Sequence, residues 1–263
     1  MKQFLKKILA EFDLAVTRRS TLDLLYENIS EIDDNDFLQA IEPRLRSNCI
    51  DVIKDSKAQL RQDLFVLSEL GFRKGGFFVE FGATNGINLS NTYLLEKKFG
   101  WTGILAEPAK FWHSELENNR NAKIDKRCVW RVSGEQLVFN ETSDRELSTI
   151  DLFSLKDDHS RSRSSGKKYK VETITLSDLL EFNSAPHKID YLSIDTEGSE
   201  LDILANFDFS RYEIKIITCE HNYTNNREKI NNLLLENGFV RKFENISKFD
   251  DWFVNMSLQK DTA

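Results

Sequence analysis

The chain has 263 residues, 40% of them hydrophobic, with 19 phenylalanines and a formal net charge of −7. That length suits one large α/β domain with an N-terminal extension, or two small domains, and the negative balance argues against a nucleic-acid partner, whose phosphates it would repel. No apolar run approaches the roughly twenty residues that span a bilayer, and three scattered cysteines (Cys49, Cys128, Cys219) give neither a disulfide framework nor a zinc spacing, which points to a reducing cytoplasm.

Residues 1–70 read as helical. The opening MKQFLKKILAEF is basic and amphipathic but lacks the long apolar core and cleavage site of a signal peptide, so it reads as a packing helix. Leu60, Leu64, Leu67 and Leu70 share one face of a helix expected over Ser56 to Leu70, with Gly71 as its stop. No repeat or linker is present. The expected division is a helical extension over 1–70 and a main domain over 71–263.

The main domain is organised around FFVEFGATNG, Phe77 to Gly86. Four apolar residues predict a buried strand, Gly82 and Gly86 a turn, and the residues from about Asn88 to Phe99 a helix. A strand, a glycine turn and a helix in that order form a cup of backbone amides at a positive helix end. A second strand, Thr102 to Glu107, ends in a carboxylate at about the distance where such folds meet ribose hydroxyls. A helix is expected from Pro108 through about Asn119, a third strand over Ile124 to Trp130, and an outlying strand over Gln136 to Phe139. DDHSRSRSSGKKYK then reads as a long basic loop. Further strands are expected at Val171 to Ile174, Ile189 to Ile194, Ile214 to Cys219, Phe239 to Phe243 and Trp252 to Met256. Helices fall between them, including SDLLEF with Ser177 as its cap. Alternation of this kind implies a parallel twisted sheet, and two strands at the end imply an antiparallel edge.

Three groups of residues carry candidate chemistry. The turn Gly82-Ala83-Thr84-Asn85-Gly86 lacks both the GxGxxG spacing and the lysine of a phosphate loop, and with Glu80 before it suits a cationic ligand without phosphate. Asp195 ends a buried strand at the carboxyl edge of the sheet, followed by Glu197 and Glu200 at a helix start. Glu220 and His221 end the neighbouring strand. His221 is a candidate general base, and with Asp195 and Glu220 a candidate divalent-metal set. His159 and the cations Arg161, Arg163, Lys167 and Lys168 could meet an acidic group on a substrate, Ser148 and Thr149 could line the pocket, and Trp252 and Tyr223 could stack on a sugar ring.

FFVEFGATNGINLSNTYLLEKKFGWTGILAEP, VETITLSDLL, IDYLSIDTEGSELDIL and the CEHN segment together resemble the FkbM-type methyltransferases over roughly residues 75–245. The resemblance implies a class I, Rossmann-like seven-stranded sheet with one antiparallel strand and S-adenosylmethionine as cofactor. By position, it implies that Glu80, Gly82, Ala83, Asn85 and Gly86 hold the methionine part, with Phe81, Thr84, Asn88 and Pro108 also at the cofactor. Glu107 would take the ribose hydroxyls, Cys128 and Val129 would sit near adenine, and Asp195 near the transferred methyl. The activity it implies (EC 2.1.1.-) is methylation of a sugar hydroxyl in glycan or secondary-metabolite biosynthesis. For that reaction His221 or Asp195 is the expected base, with Glu197 and Glu220 orienting the acceptor. N-methylation of a small amine or phosphorylated metabolite, and a nicotinamide-dependent oxidoreductase, stand as alternatives. Residues 1–70 carry no part of the motif.

Overall fold

The computed structural model describes residues 34–142, 148–153 and 166–257. The helices expected before residue 34, together with His159, Arg161 and Arg163, lie outside the described residues.

Strand β1 (Phe77–Phe81) is almost entirely buried and pairs in parallel with β2 (Thr102–Ala106) on one side and β8 (Lys188–Ile194) on the other. Near-continuous apolar runs are what a strand covered on both faces requires. Beyond β2 lies β3 (Lys123–Asp125), and beyond β8 lies β9 (Glu213–Glu220), both parallel. The strand β11 (Asp250–Asn255) then runs antiparallel between β9 and β10 (Phe239–Lys242). The result is one seven-stranded sheet in the order β10-β11-β9-β8-β1-β2-β3, as the sequence implied.

Register decides where the chemistry goes. Phe81 stands opposite both Ala106 and Ile194, and Ile194 opposite Cys219. The residues that follow, Gly82, Glu107, Asp195 and Glu220, therefore emerge along one row at the carboxyl edge.

A second, four-stranded sheet lies between β3 and β8 in sequence. Its order is β4 (Cys128–Val129), β7 (Lys167–Ile174), β5 (Gln136–Glu141), β6 (Thr149–Ile150). It has its own small core of Trp130, Phe139, Ile150, Phe153 and Val171 around Ala109 and Cys128. The expected third strand is thus two strands in two sheets. The break falls at Asp125, whose carboxylate accepts from the backbone N–H and the guanidinium of Arg127 and turns the chain out of the ladder. Part of the expected basic loop is also strand, since Lys167 to Lys170 pair with β5.

Three expected helices start late. The one after β1 begins at Tyr93, because Ser90, Asn91 and Thr92 are tied to the Glu80 carboxylate and Leu89 adopts φ +59°. The one expected from Ser56 covers only Gln62–Glu69, with Arg61 at φ +64° and Ala58 bridging in parallel to Leu89. The helix after β2 spans only His113–Asn119, and Thr175 rather than Ser177 caps the helix Leu176–Phe182. The described part of the extension shares one core with the main sheet: Phe37, Leu64 and Phe65 cluster with Phe78 and Trp252. Trp252 stacks on Phe65 at 4.8 Å between ring centroids, fully buried, so it is core rather than a sugar platform.

Candidate active site

At the carboxyl edge of the large sheet opens a cavity of about 300 Å³, the lower end of the range for small-molecule sites. Its floor is the turn after β1. Gly82 has φ +72°, and a Cβ there would stand 2.1 Å from the backbone oxygen of Asp195. Only glycine lets these two strand ends approach so closely. Its N–H donates to the Ala106 carbonyl at 3.1 Å, closing the turn onto β2.

Glu107 faces the turn from β2. One carboxylate oxygen accepts from the Thr84 N–H at 2.8 Å, the other from the Ala109 N–H at 2.7 Å. Burial pushes its pKa up to about 7, against the pull of those two N–H groups, and the Asp195 and Glu141 charges raise it further. It therefore ties the two loops together and retains acceptor capacity toward the cavity.

Glu80 is occupied differently. Its oxygens accept from the Ser90 hydroxyl at 3.1 Å, the Asn91 N–H at 2.7 Å and the Thr92 hydroxyl. Arg120, fully buried, lies 3.7 Å from Glu80 and 2.9 Å from Glu96, and donates to Ser90, Thr92 and the Gly86 carbonyl. Sequence reading missed Arg120. It sits at a helix end as an unremarkable surface-type residue, and only the fold brings it 40 positions back to Glu80.

Opposite the turn gather Asp195, Glu197 and Glu220, with one carboxylate oxygen of each within 4.8 Å of the others. Glu197 adopts φ +59° in a tight loop, which Glu200 holds by accepting from the Thr196 and Gly198 N–H groups. Burial first, then the charges of Asp195, Glu197, Glu200 and Asp250, push the Glu220 carboxyl well above the usual carboxylate range. Asp250, buried beside Gln62 and Trp252, is pushed up to about 8, mainly by burial and further by Asp195.

Of the sequence-derived site residues, Glu80, Phe81, Gly82, Thr84, Asn88, Glu107, Pro108, Cys128, Val129, Asp195, Glu197 and Glu220 line this cavity. Ala83, Asn85 and Gly86 do not line it but build it from behind. Ala83 is core, Asn85 Oδ1 accepts from the Ile87 and Asn88 N–H groups, and Gly86 packs against Arg120 and Leu116. His221 does not line it either. Side chains alternate along a strand, so with Glu220 facing the cavity the next residue turns away. The His221 Nδ1 accepts from the Tyr223 N–H at 3.0 Å, and Nε2 lies 3.8 Å from Asp251. Burial lowers its pKa, against the pull of Asp251. The cluster that could hold a metal is accordingly Asp195, Glu197 and Glu220 rather than a set including His221. Tyr223 is exposed and meets His221 edge-on, while Ser148 lines the cavity and Thr149 binds the Glu197 carbonyl. Lys168 pairs with Asp151 on the outer sheet.

Several lining residues were not foreseen. Gln59 comes from the extension, Trp112 from the loop after β2, Phe139 and Ile150 from the small sheet, and Asn91, Asn222 and Phe249 from loops. Asn91 and Asn222 fall inside the segments that resemble the family, and the others carry no local sequence signal. They are assembled by the late helix starts and by the second sheet.

The methyltransferase FkbM domain model matches residues 80–257, more than half the chain. The chain belongs to the FkbM methyltransferase family. The matched stretch begins at Glu80 and runs through the sheet edge just described. No curated protein matches this FkbM chain. Among solved structures, it is similar to a precorrin-6y C5,15-methyltransferase from Geobacter metallireducens GS-15, at 10% identity and TM-score 0.40, over 73% of this chain and 85% of that one. It is also similar to the METTL16 methyltransferase domain, at 10% identity and TM-score 0.39, over 73% of this chain and 64% of that one. A third, the CurJ carbon methyltransferase, has 13% identity and TM-score 0.36 over 96% of this chain and 70% of that one. Strand order and register define the fold as the class I methyltransferase type.

The protein is thus an S-adenosylmethionine-dependent methyltransferase. Five carboxylates, Glu80, Glu107, Asp195, Glu197 and Glu220, line the cavity and suit a cationic nucleoside. No helix among the described residues is long and apolar enough to cross a membrane.

Proposed function

We propose that the enzyme methylates an oxygen nucleophile, a sugar hydroxyl of a glycan or its activated precursor, with the Asp195–Glu197–Glu220 cluster receiving the hydroxyl proton. The observation that carries this reading is the gathering of three carboxylates, Asp195, Glu197 and Glu220, within 4.8 Å of one another at the cavity. Carboxylates at hydrogen-bond reach of a bound hydroxyl can act as general bases.

S-adenosylmethionine supplies, when bound, a methyl group already activated on a sulfonium. The protein's part is to hold, orient and deprotonate. In this reading Glu107 takes the ribose hydroxyls, Cys128 and Val129 border adenine, and Asp195 lies at the methyl. Asp195 and Glu197 orient the acceptor, and Glu220 takes its proton. The described lining contains Glu80, Glu107, Asp195, Glu197 and Glu220 and no lysine or arginine, which favours an uncharged hydroxyl over a phosphate at the reacting end. Three free, buried cysteines suit the reducing cytoplasm.

The same three carboxylates are a fitting oxygen donor set for a hard divalent cation, which would acidify the hydroxyl directly. Labelled-methyl transfer into neutral glycans and nucleotide sugars, with and without chelator, tests both. Transfer to a hydroxyl supports the proposal, and loss of transfer on chelation supports the cation. Labelling confined to amines would refute O-methylation.

A further inference from the structure

We propose that the side-chain oxygen of Asn91 receives the α-ammonium group of the cofactor. The inference rests on the S-adenosylmethionine reading of the cavity and adds a residue to it.

Asn91 lines the cavity between the glycine turn and the helix Tyr93–Phe99, and is only 8% exposed. Its backbone N–H donates to Glu80 at 2.7 Å, and its Nδ2 donates to the Ser193 hydroxyl at 2.9 Å. Its Oδ1 is buried and has no hydrogen-bond partner. The amide faces β8: the Ser193 oxygen accepts from Nδ2, and Oδ1 is left unmatched.

A buried amide oxygen without a donor is costly, and such groups are normally satisfied. The missing donor is a ligand N–H or O–H. The cofactor carries three kinds: ribose hydroxyls, the adenine amino group and the α-ammonium. The ribose is assigned to Glu107 on β2 and the adenine to Cys128 and Val129, on the opposite flank of β1 from Ser193. The ammonium remains. Glu80 stands opposite Ser193 in the sheet register, directly behind the Asn91 backbone. Its oxygens are already taken by Ser90, Asn91 and Thr92 and its charge is shared with Arg120 3.7 Å away, so the neutral amide oxygen makes the contact.

Calorimetry with three ligands tests this on the wild type and on Asn91→Ala. S-adenosylhomocysteine has both ammonium and carboxylate, its decarboxylated analogue keeps only the amine, and 5′-methylthioadenosine has neither. The expected result is a loss of roughly tenfold or more for the two amine-bearing ligands, one charge-assisted hydrogen bond, with 5′-methylthioadenosine unchanged. An equal loss on all three, a loss confined to S-adenosylhomocysteine, or no loss overturns the assignment. If Asn91→Ala does not fold, Ser193→Ala removes the anchor of the amide and is read on the same ligands. The same pattern at smaller amplitude supports the contact, and any other pattern overturns it. A wild-type enzyme that binds none of the three refutes the cofactor reading itself, a distinguishable outcome.

Discussion

Replacing Gly82 by alanine tests the close approach of strand ends on which the cavity depends. Gly82 lies at φ +72°, and its new Cβ would stand 2.1 Å from the Asp195 backbone oxygen. Left-handed backbone costs an L-residue about 1–2 kcal/mol, and forcing extra atoms into packed surroundings costs about 1–3 kcal/mol more. The backbone of Asp195 cannot swing aside as a flexible side chain could. The sum, about 2–5 kcal/mol, corresponds to a fall in melting temperature of about 4–20 °C for a domain of this size. Gly100→Ala is the matched control: it has φ +67°, but nothing lies within 4 Å of its Cβ, so it carries the conformational cost alone. Thermal melts of both variants, with S-adenosylhomocysteine calorimetry, give the comparison. Gly82→Ala should melt lower than Gly100→Ala and lose ligand affinity, whereas Gly100→Ala should bind normally. Two variants that melt together and bind equally would refute the reasoning.

Other variants probe the remaining groups. Glu107, pushed up to about 7, favours the protonated folded state, so its contribution to stability is full below about 4.5 and lost as pH rises through about 7. Asp250, pushed up to about 8, acts in the same direction, and the ligand-free enzyme should gain melting temperature from these groups as pH falls from 8 to 5. The cationic cofactor prefers ionised Glu107, so its affinity should rise between pH 6 and 8 and Glu107→Gln should flatten that rise in calorimetry. Glu220→Gln should lower turnover in a labelled-methyl assay roughly hundredfold or more while leaving S-adenosylhomocysteine affinity unchanged. Arg120→Met strips the buried partner from Glu80 and Glu96 and should destabilise the fold by about 3–5 kcal/mol in a denaturant titration.

The parallel sheet was legible because each central strand is a continuous apolar run and each crossover has a helical pattern. The edge position of Gly82, Glu107, Asp195 and Glu220 followed from the same reading, since each ends a strand. What stayed hidden has identifiable causes. The apolar pattern over Ile124 to Trp130 looks unbroken, and only the Asp125–Arg127 turn, a side-chain event, divides it between two sheets. Ser90, Asn91 and Thr92 sit in a sequence that continues a helical period, yet the Glu80 carboxylate outcompetes the helix for them. His221 has the right chemistry for a base, but strand alternation aims it at Asp251 once Glu220 faces the cavity. Gln59 reaches the site through a stretch whose leucine spacing predicts helix but which becomes helical only at Gln62.

The central claim is that carboxylates at this sheet edge enclose a bound adenosyl cation. A crystal structure with S-adenosylhomocysteine tests it most directly. The ribose hydroxyls on Glu107, with the sulfur facing Asp195 above Gly82, are the predicted result. A nucleoside seated anywhere else on the protein, or with its ribose away from Glu107, would contradict the account.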